Sequence, residues 1–535
     1  MNHVLPLRIR EACAFVMLTL IAAVAPVAAQ TAPASPAPET SSAPSAAASA
    51  APAPSTQRAP ERSGAPAPAA TPASALTIPG LPGLGFSGLI RAYDFNRQNI
   101  PQFHGNNPNR IAFNLGGDVR AEYKLPDLPL TLGAAYWAAD PLGLNGNNTL
   151  LKNTTRNGGI DNTLPGFPLS TFEYYVRYSG KSISATIGNQ LINRLWAPSS
   201  DSRIKPALYQ GIDATGKISS QFSVGVTRAI RFESRTDSLF DRNTLLTSTP
   251  AGASGLKTVQ TSGLLRLAVT YAAPDKRLTG TAEANAFYDI GNLYYAEAKY
   301  NVQPANAFKP YIAAQYARET QTGRRLLGTI SNETFGVQLG ITPVKGFLVT
   351  AGADEAPWNY ATYSASSLKA ATSYAAANYF LPSGGTNTYL QANPLVPTAT
   401  VQSLGAGMYR VGYGGIASPY TDSYATDPFY TTSLTQGTVD RRSPGVSFKL
   451  ALAYTTADKR IVLGTSEALY NYDSAYARNR TSEFDADLTY NFNPVGAGTY
   501  KGLSYRERYG QRSQPVFPTF PQTFKYLRHQ LLYSF

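Results

Sequence analysis

TFKYLRHQLLYSF, residues 523–535, is the stretch that decides how the rest of the chain is read. Taken in steps of two from the end, Phe535, Tyr533, Leu531, His529 and Leu527 fall on one face. Ser534, Gln530 and Arg528 fall on the other. Alternation of this length is a β-strand whose two faces meet different surroundings. An aromatic at the last position, with another two residues before it, suits the level where a strand leaves lipid for water. The final strand of a soluble sandwich would alternate in the same way, so the wider sequence has to choose.

At the other end, Arg8 and Arg10 precede an apolar run from Ala12 to Ala29 that Pro26 interrupts. Small residues, Val27 and Ala29, stand at the −3 and −1 positions of a cleavage before Gln30. Residues 1–29 are therefore expected to be a secretory signal peptide. The single cysteine, Cys13, lies inside it, so the exported chain has no thiol for a disulfide, a metal or a nucleophile. Residues 30–76 are almost wholly Ala, Pro, Ser and Thr, which bury too little to offset the entropy of ordering. They read as a disordered periplasmic spacer, leaving 77–535 as the folded part.

That part is too long for one ordinary soluble domain, and its composition is unlike a globular enzyme's. The chain holds 34 Tyr and 44 Gly against 3 His and 3 Met, with only 15% charged residues. No apolar run beyond the leader is long enough to span a bilayer as a helix, which excludes a helical bundle. Alternating segments recur instead. An exported chain of this kind points to an all-β fold: a transmembrane, antiparallel, up-and-down β-barrel of the outer membrane of a Gram-negative bacterium. Closing the sheet is the only way strands cross lipid without an unpaired edge.

Short turns at LPDLP (125–129), YSGKS (178–182), APDKR (273–277), TPVKG (342–346) and ADKR (457–460) join strand pairs. Tyrosines stand close before several of them, namely Tyr123, Tyr178, Tyr271 and Tyr454, as an interfacial girdle requires. Long polar stretches separate the pairs, so short turns lie at one end of the barrel and long loops at the other. The count is eighteen strands, within a range of sixteen to twenty. The largest interruption, 355–442, reads equally as an outer loop, a fold into the lumen or two further strands.

With the apolar phase facing lipid, the opposite phase lines the lumen. It carries Arg120, Lys124, Arg177, Arg231, Arg235, Arg266, Lys449, Arg506, Arg508 and Arg528, whereas GFSGLIRAY leaves Arg91 without a clear phase. Guanidinium groups on successive strands would form a track that attracts anions and grips carboxylates through paired N–H donors. Glu173, Glu283, Asp485 and Asp487 share that phase, and a wet lumen needs charges in any case. One magnitude bears on the placement. An Arg facing lipid at mid-bilayer costs about 2–4 kcal/mol, so this many must point inward or lie at the rims.

Catalytic patterns fail. GIDATGK (211–217) begins like a phosphate-binding loop, but Ile218 replaces the required hydroxyl residue and no helix follows. Outside the leader only His104 and His529 remain, too few for a zinc centre or a histidine base.

The stretch GNQLINRLWAPSSDSRIKPALYQGIDATGKI (188–218) resembles the OprD-type porins, the substrate-specific channels of Gram-negative outer membranes. The likeness rests on SDSR at 200–203, Pro206 and Tyr209-Gln210-Gly211, with weaker echoes in FYDIGNLYYAEAKY (287–300) and LRHQLLYSF (527–535). The resemblance implies an eighteen-stranded barrel, an inward loop that narrows the pore, and an arginine ladder passing small carboxylates. It places Asp201, Arg203 and Tyr209 near the constriction. The spacer and the 355–442 insertion depart from the family's pattern.

The expected function is passive, selective diffusion of small carboxylate-bearing solutes, with no cofactor, no metal and no enzyme activity. A general or saccharide porin is the alternative, with a surface adhesin or barrel enzyme behind it. The formal charge of +13 falls to +12 once Arg8, Arg10 and Glu11 are removed. On an exported chain this suits anionic solutes and lipopolysaccharide rather than nucleic acid. Expected partners are those solutes, outer-membrane lipid and the barrel assembly machinery, with the protein a homotrimer or a monomer.

Overall fold

The computed structural model describes residues 76–77, 81–98, 110–142, 169–199, 204–233, 238–240, 261–289, 291–302, 308–323, 331–357, 359–364, 400–413, 415–416, 420–421, 441–442, 445–474, 477–493, 502–513 and 523–535. The expected leader and nearly all of the spacer lie outside them.

Eighteen antiparallel strands form one closed wall. The first five are β1 (Leu84–Gln98), β2 (Arg110–Lys124), β3 (Leu130–Asp140), β4 (Leu169–Ser179) and β5 (Ile183–Gln190). Next come β6 (Leu208–Lys217), β7 (Phe222–Glu233), β8 (Leu264–Ala272) and β9 (Leu278–Phe287). After them stand β10 (Gly291–Asn301), β11 (Tyr311–Gln321), β12 (Ser331–Val344) and β13 (Phe347–Ala356). β14 (Gly445–Thr455), β15 (Ile461–Ser474), β16 (Ala477–Asn491), β17 (Leu503–Arg512) and β18 (Phe524–Ser534) complete the wall. Each strand pairs with its neighbour in sequence, and β18 returns to β1 from Ser534↔Leu89 to Lys525↔Gln98. No edge of this wall is left open. Among the described residues no helix is long and apolar enough to cross a membrane.

The turns explain why consecutive strands pair. In APDKR, the Asp275 carboxylate accepts the Arg277 N–H (3.0 Å) while Lys276 takes a left-handed φ of 57°. In TADKR, Asp458 accepts from Arg460 N–H (3.1 Å) and from the Thr456 hydroxyl (2.6 Å), and Lys459 has φ 58°. A short polar side chain bonding its own turn reverses the chain cheaply. Rings gather just above these turns, as in Phe222–Tyr271 (5.0 Å) and Phe347–Tyr454 (6.4 Å).

Alternation sets the two faces. Along β4, Phe172, Tyr174, Val176 and Tyr178 are exposed on the outside, while Thr171, Glu173 and Tyr175 are buried within. A water-soluble sandwich buries its apolar face; here the apolar phase is the outer one and the polar phase is enclosed, the arrangement of a strand wall in lipid. The long 355–442 segment adds no strand to this wall, because β13 pairs directly with β14 from Phe347↔Tyr454 to Ala356↔Gly445. Its described parts form a separate three-stranded sheet (359–364, 400–405, 408–413), and a further piece lies inside the barrel. Tyr420 is buried against Tyr311, Ala313 and Leu348, with its backbone over Gly352.

Candidate functional site

The lumen is crossed by the segment between β5 and β6. Its hairpin pairs Asn193–Arg194 with Ala197–Pro198. Its neck is tied by Ser199 N–H to Ile192 C=O (2.7 Å) and by the Ser199 hydroxyl to Ala207 C=O (2.8 Å). Arg194 lays its guanidinium fork on the Asp213 carboxylate of β6 (2.9 and 2.6 Å), which also accepts from Thr227 of β7 (2.6 Å). At the tip, the Trp196 ring meets Tyr295 of β10 edge-on at 5.6 Å. Further along, the Ile204 carbonyl accepts two bonds from Arg91 of β1, the Nε bond being 2.9 Å. A Cβ on Gly116 of β2 would come within 2.8 Å of Ile204, so the missing side chain makes room for the contact. Lys205 pairs with Glu233 of β7 at 2.6 Å, and the Thr171 hydroxyl of β4 donates to the same carboxylate (2.7 Å). One segment thus touches β10 on one side and β1 and β2 on the other, bridging the barrel's interior. The Tyr420 piece approaches Tyr295 and Glu297 as well, so both inward segments meet the wall at β10.

Of the residues expected at the constriction, Asp201 and Arg203 lie outside the described residues. Tyr209 is at the segment's base in β6, is 1% exposed, and packs on Phe232 (5.3 Å). It anchors the loop and presents no surface to a passing solute.

The inward phase of the wall carries Arg120, Arg177, Arg266, Lys449, Arg506, Arg508 and Arg528. Most are held by carboxylates. Arg120 pairs with Glu173 (2.8 Å), Asp118 (3.7 Å) and the Tyr175 hydroxyl (3.0 Å). Arg177 pairs with Glu122 (3.1 Å) and stands over the Tyr175 ring. Arg266 grips Glu283 with both nitrogens of its fork, the Nε bond being 3.0 Å. Asp487 receives Arg506 (3.0 and 2.7 Å) and the Arg508 Nε (2.7 Å). Arg508 faces Arg528 directly across the β17–β18 pairing, and Arg528 donates to the Tyr93 hydroxyl (3.2 Å) over the Tyr93 ring. Lys449 stands between Gly352 and Ala468 on the same phase.

Arg231 does not. The register slips between Ala229 and Arg231, so Arg231 pairs with Gln210, on the outward phase of Ile212, and is exposed. A bulge inserts one residue and turns the residues after it to the other face. The expectation that Arg231 lines the lumen is corrected by that inserted residue. Arg235, just beyond it, lies outside the described residues.

Arg91, for which alternation gives no phase, is 2% exposed inside the barrel. Arg194, Lys205 and the Trp196–Tyr295 contact were not singled out by pattern either. They sit in a loop or reach it from a distant strand, and a period-two reading carries no information about partners so far apart in sequence. Among the described residues no cluster of three or more His, Cys, Asp or Glu could hold a metal ion.

No protein-family model matches the sequence, and no curated protein matches it. Solved structures do match. OpdK of Pseudomonas aeruginosa, solved with vanillate, is similar at TM-score 0.58 and 13% identity over 85% of this chain and 99% of that one. OccK2 (OpdF) of Pseudomonas aeruginosa, in complex with glucuronate, gives TM-score 0.56 and 11% identity over 85% and 98%. A BenF-like porin from Pseudomonas fluorescens Pf-5 gives 0.58 and 14% over 85% and 99%. The barrel therefore has the fold of the OprD/OccK porins, over nearly the full length of those chains.

Proposed function

We propose that this protein is an outer-membrane channel for passive, selective diffusion of small carboxylate-bearing solutes. The observation that carries the reading is the segment bridging the interior of a closed barrel whose inward phase carries arginines on β2, β4, β17 and β18. Such a segment narrows the path that a solute must take. On the lumen wall Arg120 and Arg177 keep 17% and 37% of their side chains exposed, enough to meet a passing anion. Vanillate and glucuronate, found with two porins of this fold, are both carboxylates, which supports the solute class.

A second reading has its own observation. The lumen arginines are largely engaged by wall carboxylates, which lowers the net positive field and suits a weakly selective or saccharide porin. Reconstitution in planar bilayers separates the two. The carboxylate reading expects anion preference and current block by a monocarboxylate such as vanillate, both reduced in Arg120→Gln and Arg177→Gln. Equal flux of a neutral sugar and a monocarboxylate of similar size, unaffected by those changes, would reject it.

A further inference from the structure

The bulge in β7 leaves two guanidinium groups that the lumen does not use. Alternation sends Val226 and Arg228 outward, and in an unbroken register Arg231 would turn inward. The slip between Ala229 and Arg231 returns it to the outer phase, so two arginines three residues apart share the outer side of the wall. Bulges re-aim side chains in this way. Both stand in the half of β7 that leads to the long-loop end, since the strand starts at Phe222 after a short turn and ends at Glu233. Arg231 pairs with Gln210, and Gln210 pairs with Asn189, close to where the bridge leaves β5.

The Arg228 Nη1 donates to the carbonyls of Ala229 (2.8 Å) and Leu264 (3.2 Å), and its guanidinium lies over the Tyr288 ring, 5.0 Å from the centroid. Those contacts fix the plane of the group and leave Nε and Nη2 to meet another acceptor. Arg231 is exposed, and among the described residues no hydrogen bond or ion pair holds it. Arg318, the outward arginine of β11, differs: it pairs with Glu333 at 3.4 Å.

An outward arginine is tolerated where the wall meets lipid headgroups and is costly at mid-bilayer. The lumen is on the other side of the wall, so the acceptor must come from the surroundings. At the long-loop end of a barrel in a Gram-negative outer membrane, those surroundings are the lipids of the outer leaflet. We propose that Arg228 and Arg231 form a binding site for a lipid-borne phosphate, that of lipid A. The Nε and Nη2 donors of Arg228 make a side-on fork that matches two phosphate oxygens, and Arg231 adds a second cation on the same face. Beside and below them Val226, Ile212, Ile187 and Leu267 are exposed, which gives acyl chains an apolar surface. Headgroup and chains are thus met in the order in which a lipid presents them. A free anion would use the arginines alone.

The test uses the full chain, refolded in detergent without added lipid, with the shift of the band on heating as the check that each protein is folded. The unmodified protein, the double change Arg228→Gln, Arg231→Gln and the single change Arg318→Gln are titrated by native mass spectrometry with lipid A, with lipid A stripped of its phosphates, and with inorganic phosphate. The unmodified protein and Arg318→Gln should bind lipid A alike, and the double change should bind it about tenfold or more weakly. Stripped lipid A should bind all three equally weakly. Undiminished binding of lipid A to the double change overturns the proposal, as does an equal loss in Arg318→Gln. Displacement of lipid A by inorganic phosphate at equal concentration overturns it too, because the site would then be one for free anions. Should the double variant not fold, Arg231→Gln alone, at an exposed position with no partner to lose, carries the same comparison. The pore is on the opposite face, so none of these outcomes depends on which solute passes through it.

Discussion

Lys205 and Glu233 show how much can rest on one side-chain pair. Their side chains are 1% and 0% exposed, and they join the lumen segment to β7. Removing one partner of a buried ion pair leaves the other without its counter-charge and costs about 3–5 kcal/mol. Lys205→Met should therefore lower the temperature at which the folded band is lost on a denaturing gel. Adding Glu233→Leu should restore part of the loss, since two apolar groups need no partner. At the turn between β14 and β15, the Thr456 hydroxyl and then the Arg460 N–H hold the Asp458 carboxyl below the usual carboxylate range. A depressed folded pKa contributes stability above the unfolded value and loses it as pH falls through the folded one. Unfolding followed through the acid range should thus show one less pH-dependent step in Asp458→Asn. Arg231 teaches the same lesson from the opposite side: a one-residue slip decides whether a guanidinium meets solute or the outer surface.

The element on which the channel reading depends is the bridge between β5 and β6. It is held at separate points by unlike forces: a guanidinium fork at Asp213, an edge-on ring at Tyr295, a carbonyl on Arg91 and the Lys205 pair. Truncating Trp196 to Ala removes a side chain that is 1% exposed and leaves a cavity worth about 3–5 kcal/mol. The wall strands do not contain Trp196, so the barrel should still assemble. Single-channel conductance should rise because the bridge loses its hold on β10, and an unchanged conductance would mean that the bridge does not limit the pore. Gly116→Leu would crowd the Ala138 carbonyl of β3 even before Ile204, so it should strain the wall itself and lower the temperature at which the folded band is lost.

For the whole molecule, the apolar exterior makes one prediction independent of solute. The folded protein should stay in the membrane fraction until detergent is added, and the folded and heated forms should migrate differently on a gel. The alternation that implies this was legible along the chain. Phe172, Tyr174, Val176 and Tyr178 announce their face, and LPDLP, APDKR and TADKR announce their turns, because a period of two and a turn are local properties. Eighteen strands could be counted for the same reason. Alternation also put Arg120, Arg177, Arg266, Lys449, Arg506, Arg508 and Arg528 on the inner face. It could not show that Glu173, Glu122, Glu283 and Asp487 would hold five of those arginines, nor that Ile204 would rest on Arg91, more than a hundred residues away. Strand phase follows from neighbours two residues apart. Partners across a lumen follow from how the barrel closes and where its loops fold, and only the tertiary structure decides that.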